Sequence, residues 1–106
     1  MDMQEQDSHL QFDMNGFLLN GQVWNEKIAG AIAKYDGVGP LTQKHWKIIS
    51  ELRHSWLGGH SLPAVSHVCH QAGLGPMCME ELFHGPREAW RIAGLPDPGE
   101  EARAYM

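Results

Sequence analysis

Positive charge is scarce in this chain and is nowhere concentrated. Eight Lys and Arg stand against thirteen Asp and Glu, giving a formal charge of −5 with neutral histidines. The basic residues are scattered, which makes a poor electrostatic match for a nucleic-acid backbone. Long apolar runs are also missing, so no segment approaches the ~20 residues a membrane span needs. Residues 1–11 have neither the basic start nor the apolar stretch of a secretory signal, and the expected location is the cytoplasm. There is no phosphate-binding glycine loop and no nucleophile elbow, which removes nucleotide and common hydrolytic chemistry. With only two cysteines, Cys69 and Cys78, there is no disulfide framework, and in a reducing compartment both are expected as thiols. No cofactor is implied.

What is present reads as helix. The 106 residues, 42% apolar, suit one domain. Asn15-Gly16 lies between Leu10, Phe12 and Phe17, Leu18, which predicts a small β-hairpin over residues 9–20. Asn25 is placed to cap a helix carrying Ile28, Ala29, Ile32, Ala33 and Tyr35, closed at Gly37. Thr42 opens the next, with Trp46, Ile49, Leu52, Arg53 and Trp56 at spacings of three and four, broken at Gly58-Gly59. Ser61 and Pro63 start a third, with Leu62, Val65, Val68, Cys69 and Ala72 inward. Pro76 opens a short helix ending near Phe83. Pro86 opens another, with Ala89, Trp90, Ile92 and Ala93 inward and Gly94-Leu95-Pro96 as cap, closure and stop. The expected fold is mainly α: a small orthogonal bundle of about five helices around the four tryptophans, with an N-terminal hairpin. Residues 1–98 form one domain and 99–106 a flexible C-terminal arm.

The order of these signals resembles one family. Asn15-Gly16-Phe17-Leu18, Trp24-Asn25-Glu26, Asp36-Gly37-Val38 and Leu41-Thr42-Gln43-Lys44-His45-Trp46 are similar to the front half of the DsrC/TusE sulfur-relay family. Pro63, Leu82-Phe83, Gly85-Pro86 and Ile92-Ala93-Gly94-Leu95-Pro96-Asp97-Pro98 are similar to its back half. The resemblance spans about residues 10–98 and implies a helical fold ending in an arm that carries sulfur on a cysteine near its end. Implied partners are sulfur-relay or sulfite-reductase-type proteins, met through a face assigned to His45, Trp46, Trp90, Arg87 and Arg91. Counted from the shared motif, the arm cysteine falls on Glu101 and a second family cysteine on Trp90. Neither side chain forms a persulfide, which needs a thiolate to attack the donor sulfur. The stretch from Pro63 to Ile92 is shortened, and an arginine the family keeps three residues after that proline is Ser66 here.

The expected role is therefore accessory or regulatory docking without sulfur carriage. Two alternatives stand beside it. Cys78, in the first turn of its helix, is the candidate replacement thiol, against a plain packing role beside Met77 and Met79; Cys69 lies on an apolar stripe. The helices near 42–56 and 61–72 also allow a helix-turn-helix regulator, although the second carries no Lys or Arg. His67, Cys69 and His70 are a candidate metal-ligand group, with Cys78, His84 or His60 as extra ligands; His67 and His70, three apart on one helix face, are its core, and a solvated histidine-rich face is the other reading.

Overall fold

The computed structural model describes residues 12–18, 24–59 and 64–104. Among them the chain forms six helices: α1 (Glu26–Tyr35), α2 (Gln43–Gly59), α3 (Val65–Gln71), α4 (Cys78–Phe83), α5 (Pro86–Ile92) and α6 (Glu100–Arg103). α5 packs against α1, α2 and α4, and α3 against α2 and α4. The mainly helical class is as the sequence predicts. No helix among the described residues is long and apolar enough to cross a membrane.

Local chemistry accounts for most of the boundaries. The Asn25 side chain accepts from Ile28 N at 2.9 Å and starts α1. α1, α3 and α5 all end in the same hydrogen-bonded motif. Gly37, Gly73 and Gly94 take φ of 78°, 74° and 72°. The amides that follow them, Val38, Leu74 and Leu95, reach back to the carbonyls of Ala33, Cys69 and Trp90.

Four boundaries depart from the sequence expectation. Only a single antiparallel bridge, Phe12 to Leu18, stands where the hairpin was expected, and the rest of 9–20 lies outside the described residues. Its turn is held by the Asp13 carboxylate, which accepts from Asn15 N at 2.9 Å and Phe17 N at 3.0 Å; Gly16 alone takes positive φ, at 87°. Gly58-Gly59 does not break α2, which runs through both. α3 starts after Ala64; Ser61, Leu62 and Pro63 lie outside the described residues. α4 begins at Cys78 because Pro76 sits in a turn closed by Cys78 N to Gly75 O at 3.1 Å. The tail also differs, since residues 100–103 make a helical turn.

The core is built from Phe17, Ile28, Ile32, Ile48, Ile49, Leu52, Phe83, Trp90, Ile92 and Leu95, all buried. Trp90 is the largest of them. Trp24, Trp46 and Trp56 pack against this core only partly buried, and Tyr35, expected on the inner stripe of α1, is exposed.

Candidate functional site

The root of the arm is fixed by α5. Trp90 is 1% exposed, meets Trp56 edge to face at 5.4 Å between ring centroids, and its Nε1 donates to Pro96 O at 2.7 Å. The last carbonyls of the same segment are satisfied by side chains from elsewhere. Trp24 Nε1 donates to Ile92 O at 3.0 Å and Arg53 Nη1 to Ala93 O at 2.8 Å, with the Arg53 guanidinium 4.0 Å from the Trp24 ring centre. Burial lowers the Arg53 pKa. Gly94 lies directly under the Trp24 ring; a Cβ there would stand 2.0 Å from Cδ1.

Beyond the root, Asp97 organises the arm. Its carboxylate accepts from Arg103 Nη1 at 2.6 Å to each oxygen, from Gly99 N at 2.8 Å, and from Asn15 Nδ2 at 3.3 Å. The Arg103 hydrogen bond is the main cause holding the Asp97 carboxyl below the usual carboxylate range, followed by Gly99 N. α6 follows, and on it Glu101, where the resemblance counts the arm cysteine, is exposed. The arm expected to be flexible is thus pinned at its base to the turn of residues 13–17.

That turn is pinned a second time from α5. Arg91 grips Asp36 through Nε at 3.1 Å and Nη2 at 3.2 Å, and gives Nη1 to Gly16 O at 2.6 Å. The Arg87 guanidinium donates to Asn15 O and lies over the Phe17 ring. Two residues expected at a docking face therefore also hold the first described turn, although Arg87 remains exposed.

His45 and Trp90, expected at the same face, are buried and present no surface to a partner as the fold stands. His45 closes the start of α2. Its Nδ1 accepts from Thr42 N at 3.0 Å, so the proton sits on Nε2, which donates to Leu82 O at 2.8 Å. The ring stands edge-on to Phe83. A histidine here does the work of the glutamate in a capping box while also tying α2 to α4. Trp46, one residue on, is half-buried and separates two shallow surface grooves. One is lined by Gly30, Gly39, Pro40 and Leu41 with Lys27 and Lys34 on its rim, the other by Gln43, Lys47, Ser50 and Glu51.

The two cysteines are not independent thiols, contrary to expectation. Cys69, in the last turn of α3, and Cys78, the first residue of α4, are joined as a disulfide with Cα atoms 5.7 Å apart, and both are buried. Cys69 is therefore no metal ligand in this state. His67 and His70 are exposed on α3, His67 Nε2 lies 3.5 Å from Gln71 Nε2, and no three His, Cys, Asp or Glu converge among the described residues. Spacing alone does not reveal this pairing, which depends on the tight turn that brings α4 back onto α3. The glycines at 73 and 75 with Pro76 were the available signal. Nothing in the local sequence marked the clamp between Asp97 and Arg103, a contact six residues apart in a segment read as coil.

Comparison with known proteins places these features. Residues 4–100 match the model of the family described as DsrC like protein. The sulfurtransferase TusE homolog of Haemophilus influenzae is 33% identical over 97 residues, covering 83% of this chain and 88% of that protein. Among solved structures, the oxidized gamma-subunit of the dissimilatory sulfite reductase (DsrC) from Archaeoglobus fulgidus superimposes with a TM-score of 0.72 at 32% identity, covering 86% of this chain and 90% of that one. A chain of dissimilatory sulfite reductase I (DsrI) superimposes with a TM-score of 0.75 at 28% identity, covering 86% and 89%. With its helical fold and an arm rooted at Gly94-Leu95-Pro96, the chain belongs to the DsrC/TusE sulfur-relay family.

Proposed function

We propose that this protein docks on sulfur-relay or sulfite-reductase-type partners as an accessory or regulatory member of its family and carries no persulfide on its arm. The observation that carries this reading is Glu101: the site of the family's sulfur-bearing residue is an exposed carboxylate on α6, with no thiol on the arm to replace it. A carboxylate has no route to a persulfide. Of the five residues assigned to docking, Arg87 is exposed and Trp46 and Arg91 are half-buried, so on this reading a partner meets these three and not the buried His45 and Trp90. Relatives named as sulfurtransferases and gamma-subunits of sulfite reductase support the class of partner.

The test is intact-mass spectrometry after incubation with polysulfide, paired with affinity capture on the sulfur-relay proteins of the same cell. No sulfur adduct together with specific capture is the expected result. A stable adduct that passes to an acceptor defeats the reading. Loss of that adduct in Cys78→Ser would move the activity to Cys78, the alternative carrier. Two features weigh against this alternative: Cys78 is buried, and its sulfur is already bonded to Cys69.

A further inference from the structure

We infer that Cys69 and Cys78 form a redox-responsive staple between α3 and α4, opened and closed by thiol–disulfide exchange with a soluble dithiol or disulfide. This inference is independent of the docking reading and concerns a different part of the fold.

The backbone that brings the two sulfurs together is held by its own hydrogen bonds. α3 ends with Gly73 N donating to His70 O at 2.9 Å and Leu74 N to Cys69 O at 2.9 Å. The chain then reverses through the turn at Pro76, closed by Cys78 N to Gly75 O. Val68 and Ala72 on one side and Met79 on the other are buried in the common core. None of the backbone hydrogen bonds depends on a cysteine sulfur, so the two thiols stay juxtaposed when the bond is reduced, and the pair re-forms without a search through chain conformations. Reversibility follows from that pre-arrangement.

The consequence of opening is also legible. α3 has seven residues and α4 six. Neither is long enough to persist in water without outside support. Apart from the chain between them the disulfide is their one covalent tie, and that connecting turn exposes Gly73, Gly75, Pro76 and Met77. That exposed turn is where a transient opening admits a reagent to sulfurs that are otherwise buried. α4 in turn carries Leu82 and Phe83, the two residues that hold His45 against the start of α2.

A thiolate of the dithiol attacks one cysteine sulfur; the Cys69–Cys78 bond breaks and a mixed disulfide forms. The second thiolate of the reagent attacks its own bound sulfur, closing the reagent's disulfide and releasing the second cysteine. Two electrons and two protons pass from the reagent to the pair. The reverse run, with a low-molecular-weight disulfide as oxidant, closes the staple.

The experiment equilibrates the full chain in glutathione buffers of graded oxidised-to-reduced ratio, quenches with acid, alkylates and reads intact mass. Two populations are expected, doubly alkylated and unalkylated, exchanging across the series and reverting when the buffer is switched. Hydrogen exchange over residues 72–83 should be faster in the reduced form. The double variant Cys69→Ala, Cys78→Ala should exchange like the reduced form in every buffer. Three results overturn the inference: double alkylation at every ratio, no alkylation at any ratio or with excess dithiothreitol, or a glutathione adduct on one cysteine in place of the internal bond.

Discussion

Trp90 donates its indole hydrogen to the carbonyl oxygen of Pro96 at 2.7 Å, which ties the arm's root to the middle of α5. The side chain that stands where the resemblance counts a second cysteine thus fills the core and fastens the arm at the same time.

Replacing Trp90 with Cys, the residue the family resemblance places there, should not create a working carrier. Trp90 is essentially fully buried, so truncation leaves a cavity and an unpaired Pro96 oxygen. The expected cost is about 3–5 kcal/mol. Trp90→Phe keeps most of the volume and should cost about 1–2 kcal/mol, mainly from the lost hydrogen bond. Thermal or urea unfolding of the two variants reads the difference.

Gly94→Ala should be among the most damaging single substitutions in the chain. Its φ of 72° disfavours any side chain, and the new methyl would overlap the Trp24 ring. Left-handed strain and overpacking together suggest a loss of about 2–4 kcal/mol. Gly37→Ala has the same φ penalty but nothing within 4 Å of its Cβ, and should cost less. Denaturation midpoints of the pair separate conformational strain from collision.

The arm should detach in acid before the core unfolds. The Asp97 carboxyl titrates below its ordinary value when folded, chiefly through Arg103. The unfolded arm therefore binds the proton more readily, so the clamp is at full strength above the ordinary carboxylate range. It weakens as pH falls through the depressed folded value. Amide signals of residues 99–103 should shift toward coil in that window while those of α5 stay put. Asp97→Asn should abolish the pH dependence and leave the arm loose at neutral pH.

His45→Ala should lower stability by about 2–3 kcal/mol, because Thr42 N and Leu82 O both lose a buried partner. His45→Gln should recover part of this, since glutamine at the same position can serve the Thr42 amide as in an ordinary capping box. Chemical denaturation of both variants checks the order.

Reduction of the disulfide should lower the unfolding free energy by about 2–3 kcal/mol, the loop-closure entropy of a ring this short. For a domain of this size that is on the order of 10 °C in Tm, read by calorimetry with and without reductant. No change would mean that the bond constrains nothing the fold does not already hold.

Where a boundary is set by one residue's own chemistry, the sequence alone was enough. Asn25, Gly37, Pro86 and Gly94 each act within a few positions of themselves, and each stands where expected. Pro76 shows the limit of such reasoning. The same residue suits the first turn of a helix or the second place of a β-turn, and the bond from Cys78 N to Gly75 O selects the latter. Gly58-Gly59 failed as a breaker because a helix's extent depends on packing as well as propensity, and Trp56, one turn earlier, is anchored on Trp90. Of the site, the absence of any cysteine after Cys78 was legible directly. The burial of His45, the engagement of Arg87 and Arg91 with Asn15 and Gly16, and the joining of Cys69 to Cys78 were not. All are contacts between distant segments, or across a turn, that no local pattern encodes.

Asn15 faces two ways: its carbonyl takes Arg87 and its amide reaches Asp97. Two stretches more than eighty positions apart in sequence thereby share a single latch. A protein that seized the tail could not draw it outward without first tugging on the loop before α1. Capture of one end would be felt at the other, and a label on residue 14 would register an event at residue 101.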